Sequence, residues 1–474
     1  MVHLLPIGGG RDPGPLAYFA ARAAVRDTDG VIELRVLPAT YASDPLAISP
    51  AERQERLLIA DDRRADLEEV CRQSLPGRAC RVRLLPVLVR EDARAADNVA
   101  LLGADVDGVI CLGGDQMVAM RVLAGTPLEA ALAERVADGV PFCGSSAGAT
   151  IQSRTMLAGA SEGFGPAEGL RAGGLEIWPA GGLKFGARKY IIDQHLYQRG
   201  RLGRLIHAVA VTGLTGLGLD RDTGVHLQDE VVTAVFGPSG AVIVEPPQTW
   251  AYGGPNRTLG GRGFVTHLLG PGCDPYDPGA VRRPPAGRDF ACLRAPAGAG
   301  PLILACGAEG LFPGVFALPP DGEAAGVAVA RWRAGEPLLL PDPALAGAVR
   351  CPEPAPAGAE AVEAAAIRWF RAGSPGMVPG LGLLPGVAFE SDLLHGKRWG
   401  RLYGVAAAHP GLVAVGLERG TLLVVGPDGA RVAGAGAVVV VDGRNAAFST
   451  AENGVLAVRG VRIDIFVDGE EICP

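Results

Sequence analysis

Two stretches of this chain carry side chains able to do chemistry together. The first is Phe142-Cys143-Gly144-Ser145-Ser146-Ala147-Gly148-Ala149. An apolar run, Gly139-Val140-Pro141-Phe142-Cys143, leads into Gly144-x-Ser146-x-Gly148, and small residues able to form a helix follow. That is the layout of a nucleophile elbow, a tight strand-to-helix turn that lifts a serine hydroxyl clear of the backbone. Glycine on both flanks lets the chain turn sharply and leaves room for a substrate carbonyl. The N–H of Ala147, the residue after the serine, then faces the charge developing on the attacked oxygen. The second stretch runs from Tyr190 to Arg204 and contains Asp193-Gln194-His195. Asp193 and His195 are two apart, so on a strand they share a face. Arg199, Arg201 and Arg204 follow closely. Arginine grips carboxylates with a two-pronged pair of hydrogen bonds.

Positioning these groups requires a sheet. Strand-like runs at 2–8, 31–38, 80–88, 106–112 and 139–143 alternate with helical spacing at 50–70, 90–101 and 117–137. Strands alternating with helices predict an α/β fold, a doubly wound and mostly parallel sheet covered on both faces. Functional loops in such sheets lie at the strand C-termini, near a topological switch point. Gly113-Gly114 and Ser146 both follow such strands, so the glycine N–H groups are expected to face the serine across one crevice. Residues 216–225 read as a further strand, with Asp220, Arg221 and Asp222 at its end. A glycine run, Gly8-Gly9-Gly10, follows the first strand, but G-x-G-x-x-G is absent and no dinucleotide site is expected.

Composition excludes several classes. With 474 residues the chain has room for two or three domains, and 48% apolar with 20% charged residues is globular. A formal net charge of −7 argues against a general nucleic-acid binder. No apolar run reaches 18 residues, so no membrane partner is expected, and Met1 to Gly8 lacks the basic region of a signal peptide. Nine scattered cysteines without a C-x-x-C pair read as reduced thiols in a cytoplasmic protein. Seven dispersed histidines show no metal-ligand spacing.

Taken together and in order, four segments resemble the cyanophycinases, serine peptidases of family S51. They are Gly113-Gly114-Asp115-Gln116, Gly144-Ser145-Ser146-Ala147-Gly148-Ala149, Asp193-Gln194-His195 with Gln198-Arg199-Gly200-Arg201-Leu202-Gly203-Arg204, and Gly218-Leu219-Asp220. The resemblance spans roughly residues 1–285 and implies a sandwich like that of the flavodoxins and class I glutaminases. It implies cleavage of cyanophycin, a polyaspartate carrying arginine on each β-carboxyl, to β-aspartyl-arginine dipeptides. Ser146 would be the nucleophile and His195 the general base. The oxyanion hole would be formed by Gly113, Gly114 and Ala147, and Gln116, Asp193, Gln194, Arg199, Arg201 and Arg204 would line the substrate site. The resemblance calls for no cofactor and no metal. One position departs from the pattern. Where the family carries a glutamate that orients the histidine, this chain has Arg221. Asp220 or Asp222 is expected to substitute, with Asp222 preferred. Two other readings share these residues: an isoaspartyl or aspartyl dipeptidase of the same family, and a non-catalytic cyanophycin-binding protein.

The second half repeats part of the first. Gly380 to Asp392 followed by Lys397-Arg398-Trp399-Gly400-Arg401-Leu402 parallels Leu183 to His195 followed by Gly200-Arg201-Leu202-Gly203-Arg204-Leu205. Val415 to Thr421 parallels Leu217 to Thr223. Residues 299–474 therefore read as a truncated, degenerate copy of a catalytic domain at 1–285, joined by a Pro/Gly/Ala-rich linker at 286–298. The expected assembly is an intramolecular pseudo-dimer, with no further subunit required. Asp392 replaces the histidine, Gly396 replaces the first arginine, and no G-x-S-x-G occurs there. His395 aligns with Gln198, and a lone histidine needs partners to be catalytic, so no catalytic role is expected of it.

Overall fold

In the computed structural model, which describes residues 1–280, 290–307, 322–354 and 356–472, the first half is organised on a seven-stranded sheet. Five strands run parallel: β1 (His3–Ile7), β2 (Val31–Leu37), β3 (Ala79–Leu84), β4 (Gly108–Cys111) and β5 (Phe142–Ser145), in the order β1-β5-β4-β2-β3. A hairpin of Gly224–Gln228 and Val231–Phe236 adds antiparallel to β1. Ile32, Leu34 and Val36 on one face of β2 and Leu37 at its end are fully buried, as expected of a parallel strand covered on both sides. The covering helices begin where the sequence supplies caps. Asp12, Ser49 and Thr126 each accept an N–H of the first turn, with proline just inside the helix.

Four expected elements come out differently. The helix expected over 117–137 is two, Gln116–Leu123 and Pro127–Ala137, because Pro127 has no N–H to continue a helix and Thr126 caps a new one. The strand expected at 80–88 stops at Leu84, ahead of Pro86, and only Ala96–Ala100 of the 90–101 segment is helical. The run 216–225 divides between sheets. Thr215–Leu219 belongs to one and Gly224–Gln228 to the other, with a corner at 220–223 in which Asp222 is left-handed (φ 57°).

A ten-stranded sheet joins the halves, and its order is palindromic. From one end it runs Tyr190–Gln194, Thr215–Leu219, Ala241–Glu245, Thr258–Leu269, then Leu456–Phe466, Val438–Asp442, Val413–Leu417 and Val387–Ser391. Thr249–Gly253 and Ala447–Thr450 pair beside the two central strands. The outermost pairs are parallel and the centre is antiparallel. The molecule is thus α/β, with one mostly parallel sheet and one mixed sheet. Helices Leu202–Thr212 and Trp399–Ala408 pack into one core built by both halves, where Tyr197 stacks on Phe370 with ring centroids 3.6 Å apart. Tyr403 donates to Thr266 Oγ1 across the same boundary (2.7 Å).

A small five-stranded sheet completes the second half, in the order Leu338–Leu340, Leu302–Cys306, Thr421–Gly426, Gly429–Gly434, Glu471–Ile472. The expected domain limit at 285 and residues 286–289 of the expected linker lie outside the described residues. The rest of that segment is no free tether: Phe290, Leu293 and Ala295 are buried in the core beneath the small sheet. Apolar side chains at those positions gain more from burial than a solvated linker would give them.

Candidate active site

The elbow forms as its residue types require. β5 ends at Ser145, and Ser146 adopts φ 53°, ψ −112° before the short helix Ala147–Thr150. Its N–H donates to Ile7 O (2.8 Å), which ties the turn to β1. A Cβ on Gly144 would lie 2.0 Å from Gly148 O, and one on Gly148 would lie 2.3 Å from Cys111 O. Both positions are closed to any side chain. A serine held at such a backbone angle costs about 1–3 kcal/mol, typical of strain kept at functional sites.

His195 arrives from the other sheet. It follows the strand Tyr190–Gln194, is itself left-handed (φ 53°), and donates its N–H to Gly8 O (3.1 Å). The glycine run after β1 lies against the ring, where a Cβ on Gly9 would sit 2.4 Å from Cε1. His195 Nε2 is 3.0 Å from Ser146 Oγ, and Gln194 Oε1 lies 3.4 Å from the same hydroxyl. Burial, aided by the charge of Arg199, lowers the His195 pKa to about 4. At neutral pH the imidazole is therefore uncharged and able to accept a proton.

The partner of His195 Nδ1 is a residue that sequence reasoning missed. It is Gln198, whose Oε1 lies 2.8 Å away. Asp222, the preferred orienting acid, does not reach the ring. Its carboxylate accepts the Asp12 N–H (2.8 Å) and pairs with Arg221 (3.2 Å). The left-handed corner turns it toward the glycine run and away from the imidazole. Asp220 is fully buried and accepts the N–H groups of Tyr197 and Gln198 (3.0 and 3.1 Å) and the Ser239 hydroxyl (2.8 Å). Burial raises its pKa to about 6, and it serves to hold the chain that follows His195.

Three of the expected substrate ligands are likewise placed elsewhere. Asp193 is 1% exposed and Arg204 5% exposed, and they form a two-pronged pair (3.0 Å for Nε, 2.5 Å for Nη2). Arg201 adds a second cation at 3.7 Å and donates to Gln194 O (2.8 Å). Burial opposes ionisation of Asp193, but Arg204 and Arg201 outweigh it and hold the carboxyl below its ordinary range. Burial, with Arg204 adding to it, lowers Arg201 to about 9. Charges so enclosed need one another, and the cluster braces the histidine loop. Arg199, by contrast, is exposed beside the site. Gln116 is half-buried, and its amide donates to Ala158 O and Leu157 O.

Gly113 stands where expected, its position such that a Cβ would lie 3.1 Å from Ser146 Cβ. Thr40 fixes this loop by donating to Gly113 O (2.8 Å) and accepting the Asp115 N–H at its carbonyl (3.1 Å). Ser146, Gly113 and Gly114 open into a cleft of about 840 Å³. Its walls include the glycine run with Arg11 and Asp12, Asp222, the apolar Leu16 and Tyr41, and one face of the helix Pro50–Ser74 carrying Arg63, Asp66 and Glu69. None of those helix residues lies in a recognisable motif; only their proximity to the serine marks them. The cleft presents both signs of charge, and it can hold a ligand that itself carries carboxylates and a cation.

Among the described residues, no helix is long and apolar enough to cross a membrane. Asp392, His395 and Glu418 bring ligand atoms within 4.8 Å of one another, but Asp392 is paired with Arg419 (2.8 Å for Nη2), which already neutralises it.

Residues 75–235 match the family model described as peptidase family S51. A cyanophycinase from Nostoc sp. is 34% identical over 172 residues, which is 35% of this chain and 54% of that protein. A cyanophycinase from Geminocystis herdmanii is 35% identical over 141 residues, 29% of this chain and 48% of that protein. The chain thus spans about half the length of the curated relatives it matches. Among solved structures, a peptidase from an acI-B1 Actinobacterium superposes with a TM-score of 0.37 and 15% identity, covering 58% of this chain and 97% of that one.

Proposed function

We propose that this chain, whose residues 75–235 match the peptidase family S51 model, is a serine peptidase that hydrolyses cyanophycin to β-aspartyl-arginine dipeptides. The observation that carries the reading is the 3.0 Å approach of Ser146 Oγ to a half-buried, neutral His195 at the mouth of a charged cleft. Ser146 Oγ attacks the scissile carbonyl while its proton passes to His195 Nε2. The tetrahedral oxyanion is met by the N–H of Ala147 and the Gly113-Gly114 turn. Collapse breaks the C–N bond, and His195 returns the proton to the leaving amine. Water then enters by the same route in reverse and frees Ser146 from the acyl group. In the cleft, Arg11 and Arg63 suit the free carboxylates of aspartate, with exposed Arg199 beside it, and Asp66, Glu69 and Asp222 suit the substrate guanidinium.

The same reading takes residues 299–474 as a degenerate, non-catalytic copy of the first half. The palindromic strand order supports it. A cytoplasmic setting is part of the proposal, supported by eight free cysteines among the described residues. The test is incubation of the purified protein with cyanophycin, with soluble products followed by mass spectrometry beside a Ser146→Ala control. Release of β-aspartyl-arginine by the wild type and not by the variant is expected. Release by neither, with polymer and protein co-sedimenting, would replace the enzyme with a binding protein. Cleavage of short isoaspartyl peptides but not of polymer would move the substrate to the dipeptide class.

A further inference from the structure

The histidine relay does not end within the first half. Gln198 Nε2 lies 2.9 Å from Oε2 of Glu363, on the helix Ala359–Arg368 of the second half. Lys397, also from the second half, donates to Gln198 O (2.8 Å) and sits 3.8 Å from Glu363 Oε1. Together with Asp220 on its N–H, Gln198 is thereby held at its backbone on both sides and at its side chain.

We propose that Glu363 is the acid of this relay, a positioning residue that fixes the protonation pattern of His195 through Gln198. The inference rests on the serine–histidine reading above and extends it. The argument is one of donors and acceptors. An ionised carboxylate only accepts, so it takes the amino end of the Gln198 amide. The carbonyl end must then face His195 Nδ1, and a carbonyl also only accepts. Nδ1 therefore carries the hydrogen, and Nε2 turns its lone pair to the Ser146 hydroxyl. Flipping the amide would set its oxygen against the carboxylate at 2.9 Å with no proton between them. Without Glu363 the amide has no reason to prefer either orientation, and the imidazole loses its preferred tautomer. A negative charge one residue removed also favours the imidazolium formed when Ser146 attacks. It does so more weakly than direct contact, because Glu363 is about one-third exposed. Here the second half supplies the acid for which Arg221 leaves no place in the first.

The test uses the full chain and three variants: Glu363→Gln, Gln198→Glu, and the two combined. Two readouts are taken, polymer cleavage and the rate at which a small fluorophosphonate labels Ser146, which needs no polymer in the cleft. Glu363→Gln is expected to lower kcat and the labelling rate by the same factor, about 10- to 100-fold, the usual loss for an outer partner of a histidine, with KM unchanged. Gln198→Glu alone sets two carboxylates together and is expected to do no better. The combined variant moves the charge one place along the relay. It should recover the labelling rate and lift the acid limb of the pH profile above its wild-type position, because a carboxylate now touches the imidazole. A Glu363→Gln protein that labels and cleaves like the wild type would overturn the proposal. So would a combined variant no faster than the single one, since a merely structural role predicts no rescue. Labelling without polymer cleavage in the wild type would refute the substrate and leave the relay to be judged on labelling rates. Absence of both would overturn the relay together with the serine–histidine reading.

Discussion

Residues 190–220 and 387–418 follow one backbone plan with opposite chemical results. In each, a strand is followed by a left-handed residue, His195 in the first and Asp392 in the second (φ 53° and 57°). The next N–H donates to the neighbouring strand, Leu196 to Leu219 O and Leu393 to Leu417 O. A buried carboxylate then caps the turn: Asp220 accepts from Tyr197, and Glu418 from Leu394. A second carboxylate receives a buried arginine, Arg204 on Asp193 and Arg401 on Glu390. Arg201 and Arg398 each donate to a strand-end carbonyl, Gln194 O and Ser391 O. The half without a G-x-S-x-G elbow keeps the ion cluster, so the cluster belongs to the fold. What distinguishes the first half is a small set of exchanges: histidine for Asp392, glutamine for His395, arginine for Gly396, and the elbow.

The sharpest break of that comparison removes the elbow hydroxyl or the imidazole. Ser146→Ala or His195→Ala should lower dipeptide release by about 10⁴-fold or more, whereas Asp392→Ala should change it less than about twofold. Next come the ion clusters. Asp193→Asn and Glu390→Gln should each cost about 3 kcal/mol in urea unfolding, because each strands buried arginines. A loss confined to Asp193→Asn would separate the clusters after all. A third prediction concerns pH. With the folded-state His195 pKa near 4, kcat/KM should hold down to about pH 4 and fall below it. The unfolded imidazole has its ordinary pKa of about 6.5, so it binds protons first as pH falls. Its contribution to stability is therefore intact above about pH 6.5 and lost progressively toward pH 4. An acid limb near 6.5 would place the imidazole in water. Smallest is Arg199→Ala, which should raise KM about tenfold without altering the unfolding midpoint, since the side chain is exposed and its counterpart is glycine.

The parts of the site legible in the sequence are those encoded locally. Gly144-x-Ser146-x-Gly148 announces its own turn because steric closure involves residues four apart and one adjacent strand. His195 was readable from its neighbours for the same reason. The parallel sheet was readable because buried strands and amphipathic helices alternate. Asp193 and Arg204 were misassigned because charge in a sequence suggests a ligand, while their burial is set by how a strand and the following helix pack. The corner at 220–223 divided an apparent strand, and no periodicity marks a change of sheet. Glu363 left no local trace at all. Its contact with Gln198 spans 165 residues and exists only because two sheets' worth of chain close upon one another.

The strand Thr258–Leu269 is paired on one side by Ala241–Glu245 and on the other by Leu456–Phe466. A chain stopped after residue 280 would present that whole strand as an open edge, with Phe264, Val265, Leu268 and Leu269 among its side chains. Such edges recruit other chains and aggregate. The second half therefore cannot be discarded by truncation without uncovering that edge. It acts as a built-in guard against self-association.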